Sequence, residues 1–390
     1  MFNFGAKCRD LKFFLKLTLY QLVYYIALCR PAKRKPRHLL LIKTDELGDY
    51  LLMRHLLPLF RQSALYRDYT ITLAGNTIYR QIFNNYDQQV VDDVIWMDKS
   101  KFKKDLLYRL KFLLRIRRAG ASVAINLIYS HSFRLDDMIM AVTGAPSRIG
   151  MTYENPDAGR YERLLTPRRL YTGLEDTGEK TLFEAARNAR FVAKLLDIPV
   201  PPVSTKIEAA EDVHSLALPS AYFVIFPGSG IPEKKWPTAS FAVVAHHLAG
   251  RYGLFPVVCG SMADAADCAA FIGVYSGPVL DLAGKTTLPQ LLGVLKGAAC
   301  LISVDTGSVH LAAAVGCPVF ALYSGRHYGR FAPYPPDVAT CFYPVYPDEI
   351  DELIEKNVSF VSDTIPVDLL KRIPPQKMIA KIDEQLPNCR

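Results

Sequence analysis

Residues 300–320 constrain the fold of this chain more than any other stretch. Cys300 to Val304 is an apolar, β-branched run that reads as a buried strand. It breaks at Asp305-Thr306-Gly307-Ser308, where small and capping residues turn the backbone and open a short helix. Gly316 and Pro318 stop that helix before a second apolar run, 319–323, returns to the sheet. Such a turn lies at the carboxyl end of a parallel strand, where free N–H groups and the positive end of the helix dipole favour a phosphate. Taken alone, Asp305 reads as a plain helix cap and His310 as a satisfied core histidine. A ligand role for either requires agreement with distant segments.

The same alternation runs through most of the chain, whose 390 residues suit two domains of ordinary size. A first series places strands at 38–43, 69–73, 93–97 and 122–126, with helices at 50–61, 77–84, 103–118 and 134–142. Residues 150–179 are polar, arginine-rich and broken by Pro and Gly, and read as a loop-rich connection. A helix at 181–196 and the stiff break Pro199-Val200-Pro201-Pro202 follow. A second series has strands at 222–226, 255–259, 279–282, 300–304 and 319–323, with helices at 238–252, 264–275 and 288–296. The pattern predicts an α/β chain of two Rossmann-like halves, each with a doubly wound parallel sheet. The expected divisions are a basic segment 1–37, a first domain 38–200, a second domain 201–360 and a tail 361–390. Helical stretches at 348–356, 366–372 and 375–385 end the chain, and the tail is expected to lie back on the first domain.

Charge is concentrated at one end. Through Arg37 there are nine basic residues against one acid, which accounts for nearly all of the net +9. The remainder is close to neutral, which argues against a nucleic-acid-binding face and for a basic attachment device. Residues 11–28 are rich in Leu, Phe and Tyr, but the uninterrupted apolar part, 17–28, is short for a bilayer span. With the polybasic cluster at 30–37, residues 1–37 fit a helix lying in the interface of an anionic membrane. The alternative is a helix docked on its own domain. The eight cysteines show no CxxC pair and no zinc-type spacing, so Cys259, Cys300 and Cys317 read as reduced core residues of a cytoplasmic protein.

Three turns carry candidate chemistry. Pro227-Gly228-Ser229-Gly230 leads to Lys234-Lys235, where glycine amides approach an anion closely and a lysine adds a point charge. A solvated lysine pair on a surface turn is the plainer reading. Asp305 to His310 is the second turn, and Thr44-Asp45-Glu46-Leu47-Gly48-Asp49 the third. The third has one glycine and lacks the GxGxxG dinucleotide pattern, which disfavours an NAD enzyme. Two anion-suited turns in one half and a carboxylate-rich loop in the other suggest a cleft, with a phosphate-bearing donor on one wall and an acceptor with a base on the other.

Together these segments resemble glycosyltransferase family 9, the ADP-heptose:lipopolysaccharide heptosyltransferases, over roughly residues 38–380. The resemblance rests on Leu39-Leu40-Leu41-Ile42-Lys43-Thr44 with Gly48-Asp49, on Pro227-Gly228-Ser229 with Lys234 and Trp236, on Leu282-Ala283-Gly284-Lys285-Thr286, and on Asp305-Thr306-Gly307-Ser308-Val309-His310. It implies a GT-B fold, two Rossmann-like domains across a cleft, with no catalytic metal and no cofactor. By this resemblance Asp49 matches the general base, attack inverts the sugar, and Lys234 binds the donor diphosphate with Ser229 and Gly230 beside it. Thr306, Gly307 and His310 lie at the diphosphate, Asp305 holds sugar hydroxyls and Thr286 offers groups to the nucleotide base.

Departures from the family pattern leave choices open. Asp264 stands where a ribose-binding acid is often found, and Ser324-Gly325-Arg326-His327 replaces the usual Gly-Pro-Thr. Lys235 adjoins Lys234, and Asp45 or Glu46 competes with Asp49, whose expected position just before the helix favours it. The expectation is an inverting, metal-independent transferase moving a heptose or related sugar, from ADP-heptose, to a lipopolysaccharide core or other lipid-linked saccharide. It would act as a peripheral protein at the inner face of the cytoplasmic membrane. The alternatives are a UDP- or GDP-sugar donor, and a non-catalytic nucleotide-binding adaptor at a membrane surface.

Overall fold

The computed structural model describes residues 4–153, 170–209, 211–357 and 364–389, with side chains from residue 15 onward. Two compact units emerge: Met1–Gly178 with Arg187–Pro202, and Glu179–Ala186 with Val203–Arg390.

In the first unit, β1 (His38–Lys43) is buried along its whole length. A strand covered on both faces reads as a continuous apolar run, which is what Leu39 to Ile42 supplies. β2 (Thr70–Asn76), β3 (Asp93–Met97), β4 (Val123–Asn126), β5 (Ser147–Met151) and β6 (Gly173–Glu175) complete a parallel sheet in the order β3-β2-β1-β4-β5-β6. Leu41 lies opposite Leu73 on one side and Ile125 on the other. Strand order reverses between β1 and β4, and ligands of open α/β sheets gather outside the carboxyl ends at such a point.

The second unit repeats the plan with β7 (Tyr222–Phe226), β8 (Phe255–Val258), β9 (Leu280–Asp281), β10 (Leu301–Val304), β11 (Val319–Leu322) and β12 (Phe342–Val345). All are parallel, in the order β12-β11-β10-β7-β8-β9. Here the reversal falls between β7 and β10.

Several elements differ from the sequence reading. The helix expected at 50–61 is three pieces, Leu47–Leu51, a 3-10 turn Arg54–Leu56 and Leu57–Gln62, so Asp49 sits in a first helical turn rather than before it. The helix expected at 103–118 is divided by Asp105, whose carboxylate accepts from Leu107 N and Tyr108 N and caps Leu106–Ala119. β5 and β6 occupy part of the stretch read as a loop, while residues 154–169 lie outside the described residues. β12 was not expected because it contains Pro344, which a strand tolerates at a sheet edge.

The tail packs within the second unit. Trp236 Nε1 donates to Ile373 O at 2.9 Å, and Leu370, Ile373, Met378, Ile382 and Leu386 join Phe223 and Phe241 in one buried cluster. The helix Pro375–Gln385 also presents Asp383 to His247 and Tyr252, each at 2.8 Å. Apolar and polar contacts therefore both fix it there.

The N-terminal helix, Phe4–Leu28, is docked by one face. Tyr20, Val23, Tyr24 and Ala27 are buried in the core of the first unit, against residues of the helix Leu106–Ala119. The Arg109 guanidinium is sandwiched between Tyr20, 3.5 Å from the ring centroid, and Phe102, at 4.0 Å. Leu15, Leu19, Leu22 and Ile26 form an exposed stripe on the helix. The expected interfacial helix is thus held by its own domain while leaving an apolar face open. No helix among the described residues is long and apolar enough to cross a membrane.

Candidate active site

In the second unit, β7 ends at Phe226 and the chain turns through Pro227-Gly228-Ser229-Gly230. Ser229 is buried and its Oγ accepts from Ile231 N at 3.2 Å, which tightens the turn. A Cβ at Gly230 would meet nothing within 4 Å, so the backbone there is open to an incoming group. A 3-10 turn, Pro232–Lys234, then carries Lys234 to Asp305, with Nζ 2.6 Å from Oδ2. β7 and β10 are neighbours, so the turns that follow them meet. Lys235 points elsewhere and pairs with Asp267 at 2.7 Å. The structure thus separates the two lysines that the sequence left as alternatives.

Thr306 is the N-cap of the helix Gly307–Ala314, but its side chain caps no backbone N–H. Its Oγ1 lies instead 2.8 Å from Ser308 Oγ, which is 2.9 Å from Ser303 Oγ. The helix amides and the dipole are therefore not neutralised by the residue that usually does so, at the point that Lys234 approaches. His310 is buried below, with Nδ1 2.8 Å from Tyr334 OH. Burial, opposed in part by Asp305, pushes its pKa down to about 4, so the ring is neutral at pH 7.

The sequence reading missed Tyr334, which the loop after β11 brings to His310, and no spacing signal marks it. It also missed Tyr323 and Tyr346, at the ends of β11 and β12. Both hydroxyls are buried without a hydrogen-bond partner among the described residues. Burial first, and then the Asp305 charge for Tyr323, holds that phenol well above the ordinary tyrosine range.

Thr286 is half-buried on the loop after β9, ahead of the capping box in which Thr287 and Gln290 start the helix Leu288–Gly297. β9 is two strands from β7, so Thr286 belongs to this edge but stands off from Lys234. Asp264 forms its own capping box, accepting from Ser261 N at 2.9 Å and Ser261 Oγ at 2.6 Å. Its carboxylate presses on Gly228, where an added Cβ would lie 2.5 Å from Oδ1. Only glycine fits that turn.

In the first unit, Thr44–Asp49 follows β1. Lys43 is fully buried, and its Nζ donates to Asp45 Oδ2 at 2.8 Å and to Leu127 O at 3.3 Å. Thr44 Oγ1 donates to Asp136 Oδ1 at 2.6 Å, and Asn76 Nδ2 to Asp45 O at 2.8 Å. Glu46 faces outward and pairs with Lys99 at 2.6 Å. Burial, reinforced by Asp49 and Asp136 and opposed by Lys43, pushes Asp45 up to about 8. Asp49 is half-buried one turn further on. A second buried chain, missed from sequence, links Asn126, Tyr171, Asp137 and His131: the Tyr171 hydroxyl donates to Asp137 at 2.6 Å, and His131 Nδ1 lies 2.8 Å from the same carboxylate oxygen. A cavity of about 420 Å³ opens here, with Asp45 and Asp136 in its wall. Among the described residues, no three His, Cys, Asp or Glu side chains gather as a metal cluster.

A family model described as glycosyltransferase family 9 (heptosyltransferase) matches residues 138–351. The chain is 31% identical over 125 residues to lipopolysaccharide heptosyltransferase 3 of Escherichia coli strain K12, covering 32% of this chain and 36% of that protein. It is 30% identical over 152 residues to lipopolysaccharide heptosyltransferase 1 of Pseudomonas aeruginosa, covering 38% and 41%. The matches thus span well under half the length of these curated relatives. Among solved structures, a glycosyltransferase family 9 protein from Veillonella parvula aligns with a TM-score of 0.64 at 20% identity, over 91% of this chain and 98% of that one. The E. coli ADP-heptose lipopolysaccharide heptosyltransferase II aligns with a TM-score of 0.60 at 20% identity, over 90% and 99%. An E. coli heptosyltransferase solved with ADP gives 0.61 at 17% identity, over 89% and 99%. Two six-stranded parallel sheets match the GT-B class of these neighbours, and the family model covers more than half of the sequence. This chain belongs to glycosyltransferase family 9.

Proposed function

We propose that the chain is an inverting glycosyltransferase that moves a heptose from ADP-heptose to a lipid-linked saccharide of the lipopolysaccharide-core type, without a metal. The observation that carries this reading is Lys234 meeting the start of the helix Gly307–Ala314, whose N-cap side chain is turned away from the amides. A point charge and a helix dipole converge where a departing nucleotide diphosphate builds negative charge. The family membership and the names of the curated relatives support the same donor class.

In this reading, Ser229 and Gly230 let the backbone approach the phosphates, Asp305 holds sugar hydroxyls and Thr286 faces the nucleotide base. His310 contributes no charge: as a neutral ring it fixes Tyr334 beneath the turn. Asp49 takes the acceptor proton as the hydroxyl attacks the face of the sugar opposite the nucleotide. The exposed stripe Leu15, Leu19, Leu22 and Ile26, followed by Arg30, Lys33, Arg34, Lys35 and Arg37, supports peripheral attachment to an anionic cytoplasmic membrane face, where a lipid-linked acceptor resides.

Nucleotide selectivity tests the donor half. A ligand at about 100 times its dissociation constant stabilises a protein by roughly 2.7 kcal/mol, so melting with ADP, UDP and GDP in parallel reads the preference directly. Selective stabilisation by ADP is expected. A UDP or GDP preference would replace the donor, and no response to any of the three would leave the adaptor reading.

A further inference from the structure

The helix Leu47–Leu51 has five residues, too few to hold its own shape in water. Its N-cap, Glu46, makes no side-chain hydrogen bond to the first amides, so no local cap fixes where the helix begins. Leu47, Gly48, Tyr50 and Leu51 are buried, and Asp49 alone keeps an exposed edge. The direction of the Asp49 carboxylate is therefore set through the contacts that anchor the other four.

Tyr50 is the polar anchor among them. Its ring is stacked on that of Tyr79, with centroids 3.9 Å apart and an interplanar angle of 3°. Its hydroxyl donates to Asp87 Oδ2 at 2.5 Å. Arg54, in the 3-10 turn that follows, grips the same carboxylate with two prongs, Nε at 3.0 Å and Nη2 at 2.8 Å. Asp87 thus bridges the two helical pieces on either side of the break at residues 52–53. Asn188 Nδ2 donates to Leu52 O at 3.3 Å and holds the break itself. Tyr79 is fully buried and donates its own hydroxyl to the carbonyl of Lys43, the last residue of β1. One tyrosine stack therefore ties the end of β1 to the helix that carries Asp49.

Packing alone does not account for this arrangement. Tyr50 and Asp87 are buried and the Arg54 side chain is nearly so, and a buried phenol–carboxylate–guanidinium chain desolvates charge that apolar side chains of the same volume would not. What the chain adds is direction, because its hydrogen bonds select one rotation of the helix. Tyr50 follows Asp49 directly, so a rotation that released Tyr50 would carry the Asp49 carboxylate with it.

We infer that Tyr50 is a positioning residue for the transfer reaction: held by Asp87 and Arg54, it sets the rotation of the helix Leu47–Leu51 and so aims the Asp49 carboxylate at the acceptor hydroxyl. The inference rests on the reading of Asp49 as the base, and deepens it by naming what keeps that base in line. A displacement of about 1 Å at a reacting group can cost on the order of a hundredfold in rate.

The test is the kinetics of ADP release from ADP-heptose, with a heptose-acceptor lipopolysaccharide core, by the full chain. Tyr50→Phe keeps the ring on Tyr79 and removes only the hydroxyl. It should lower kcat by roughly ten- to a hundredfold while leaving KM for donor and acceptor, and the affinity for ADP, unchanged. In an Asp49→Asn background the same substitution should cost nothing further, because the group it aims is gone. Arg54→Lys keeps the charge but loses the two-pronged grip; it should give the same pattern with a smaller loss, and replaces Tyr50→Phe should that variant fail to fold. Unchanged kcat, a rise in KM that accounts for the loss, or an equal fold-loss with and without Asp49 would overturn the assignment. Failure of the base reading registers separately, as full turnover by Asp49→Asn alone, and would overturn the positioning role with it.

Discussion

Lys234 Nζ lies 2.6 Å from Asp305 Oδ2, which ties the turn after β7 to the turn after β10. Both side chains are mostly buried, yet both keep an edge at the surface. An anion that reaches Lys234 meets Asp305 as its competitor.

Two substitutions at this pair should therefore act differently on ADP. Lys234→Ala removes a charge-assisted contact worth about 1.5–3 kcal/mol, so the ADP dissociation constant should rise by roughly ten- to a hundredfold. Lys235→Ala, which loses only the Asp267 pair, should leave ADP binding nearly unchanged. Asp305→Asn should hold or tighten ADP while lowering kcat/KM with the sugar donor, because the competitor is removed along with a sugar contact. Calorimetry with ADP and steady-state kinetics read these separately; equal losses for both lysines would sink the Lys234 assignment.

Asp49 is separable from binding. Asp49→Asn keeps the shape of the first helical turn but removes the base, so turnover should fall by about 10²–10⁴ with ADP affinity intact. If Asp45→Asn gives the larger loss in kcat and Asp49→Asn little, the base belongs to Asp45. Stability must be measured alongside, since Asp45→Asn alters the group that accepts from buried Lys43.

How far the sequence revealed these sites follows from their chemistry. The apolar runs of β1, β7 and β10 were legible because strands buried on both faces have no polar alternation to obscure them. Asp305–His310 and Thr44–Asp49 were legible because capping residues and glycine punctuate the chain at strand ends. What stayed hidden depends on contacts between distant positions. No local signal tells that Lys234 rather than Lys235 reaches Asp305, that His310 is matched by Tyr334, or that Arg109 stacks on Tyr20. β6, of three residues, and β12, with its proline, are too short or irregular for a periodicity to show.

His310 gives a pH dependence of defined sign. Its folded pKa is about 4 and its unfolded value about 6.5, so the unfolded chain binds more protons between those limits. Its contribution is fully present above pH 6.5 and is lost as the pH falls toward 4. His310→Gln should flatten the stability profile by about 2 kcal/mol between pH 7 and 5, measured by urea titration at each pH. His55, lowered to about 4 chiefly by burial, remains in the variant and supplies the residual slope. Parallel profiles for the two proteins would show that His310 is not buried as a neutral ring.

The outer stripe of the N-terminal helix can be tested without disturbing its inner face. Leu22 is more than half exposed, so Leu22→Glu should leave the melting temperature within a degree or two while cutting sedimentation with phosphatidylglycerol vesicles at least tenfold. Deleting residues 1–37 is a poorer experiment, because it strips Tyr20, Val23, Tyr24 and Ala27 from the core. Undiminished vesicle binding by Leu22→Glu would place the attachment elsewhere.

The most direct measurement is nucleotide release from ADP-heptose by the full chain, with and without a heptose-acceptor lipopolysaccharide core, in buffer containing EDTA. ADP release that depends on the acceptor, persists in EDTA and collapses in Asp49→Asn is the expected result. Release that ignores the acceptor, needs added metal or survives Asp49→Asn would contradict a metal-independent transferase with Asp49 as its base.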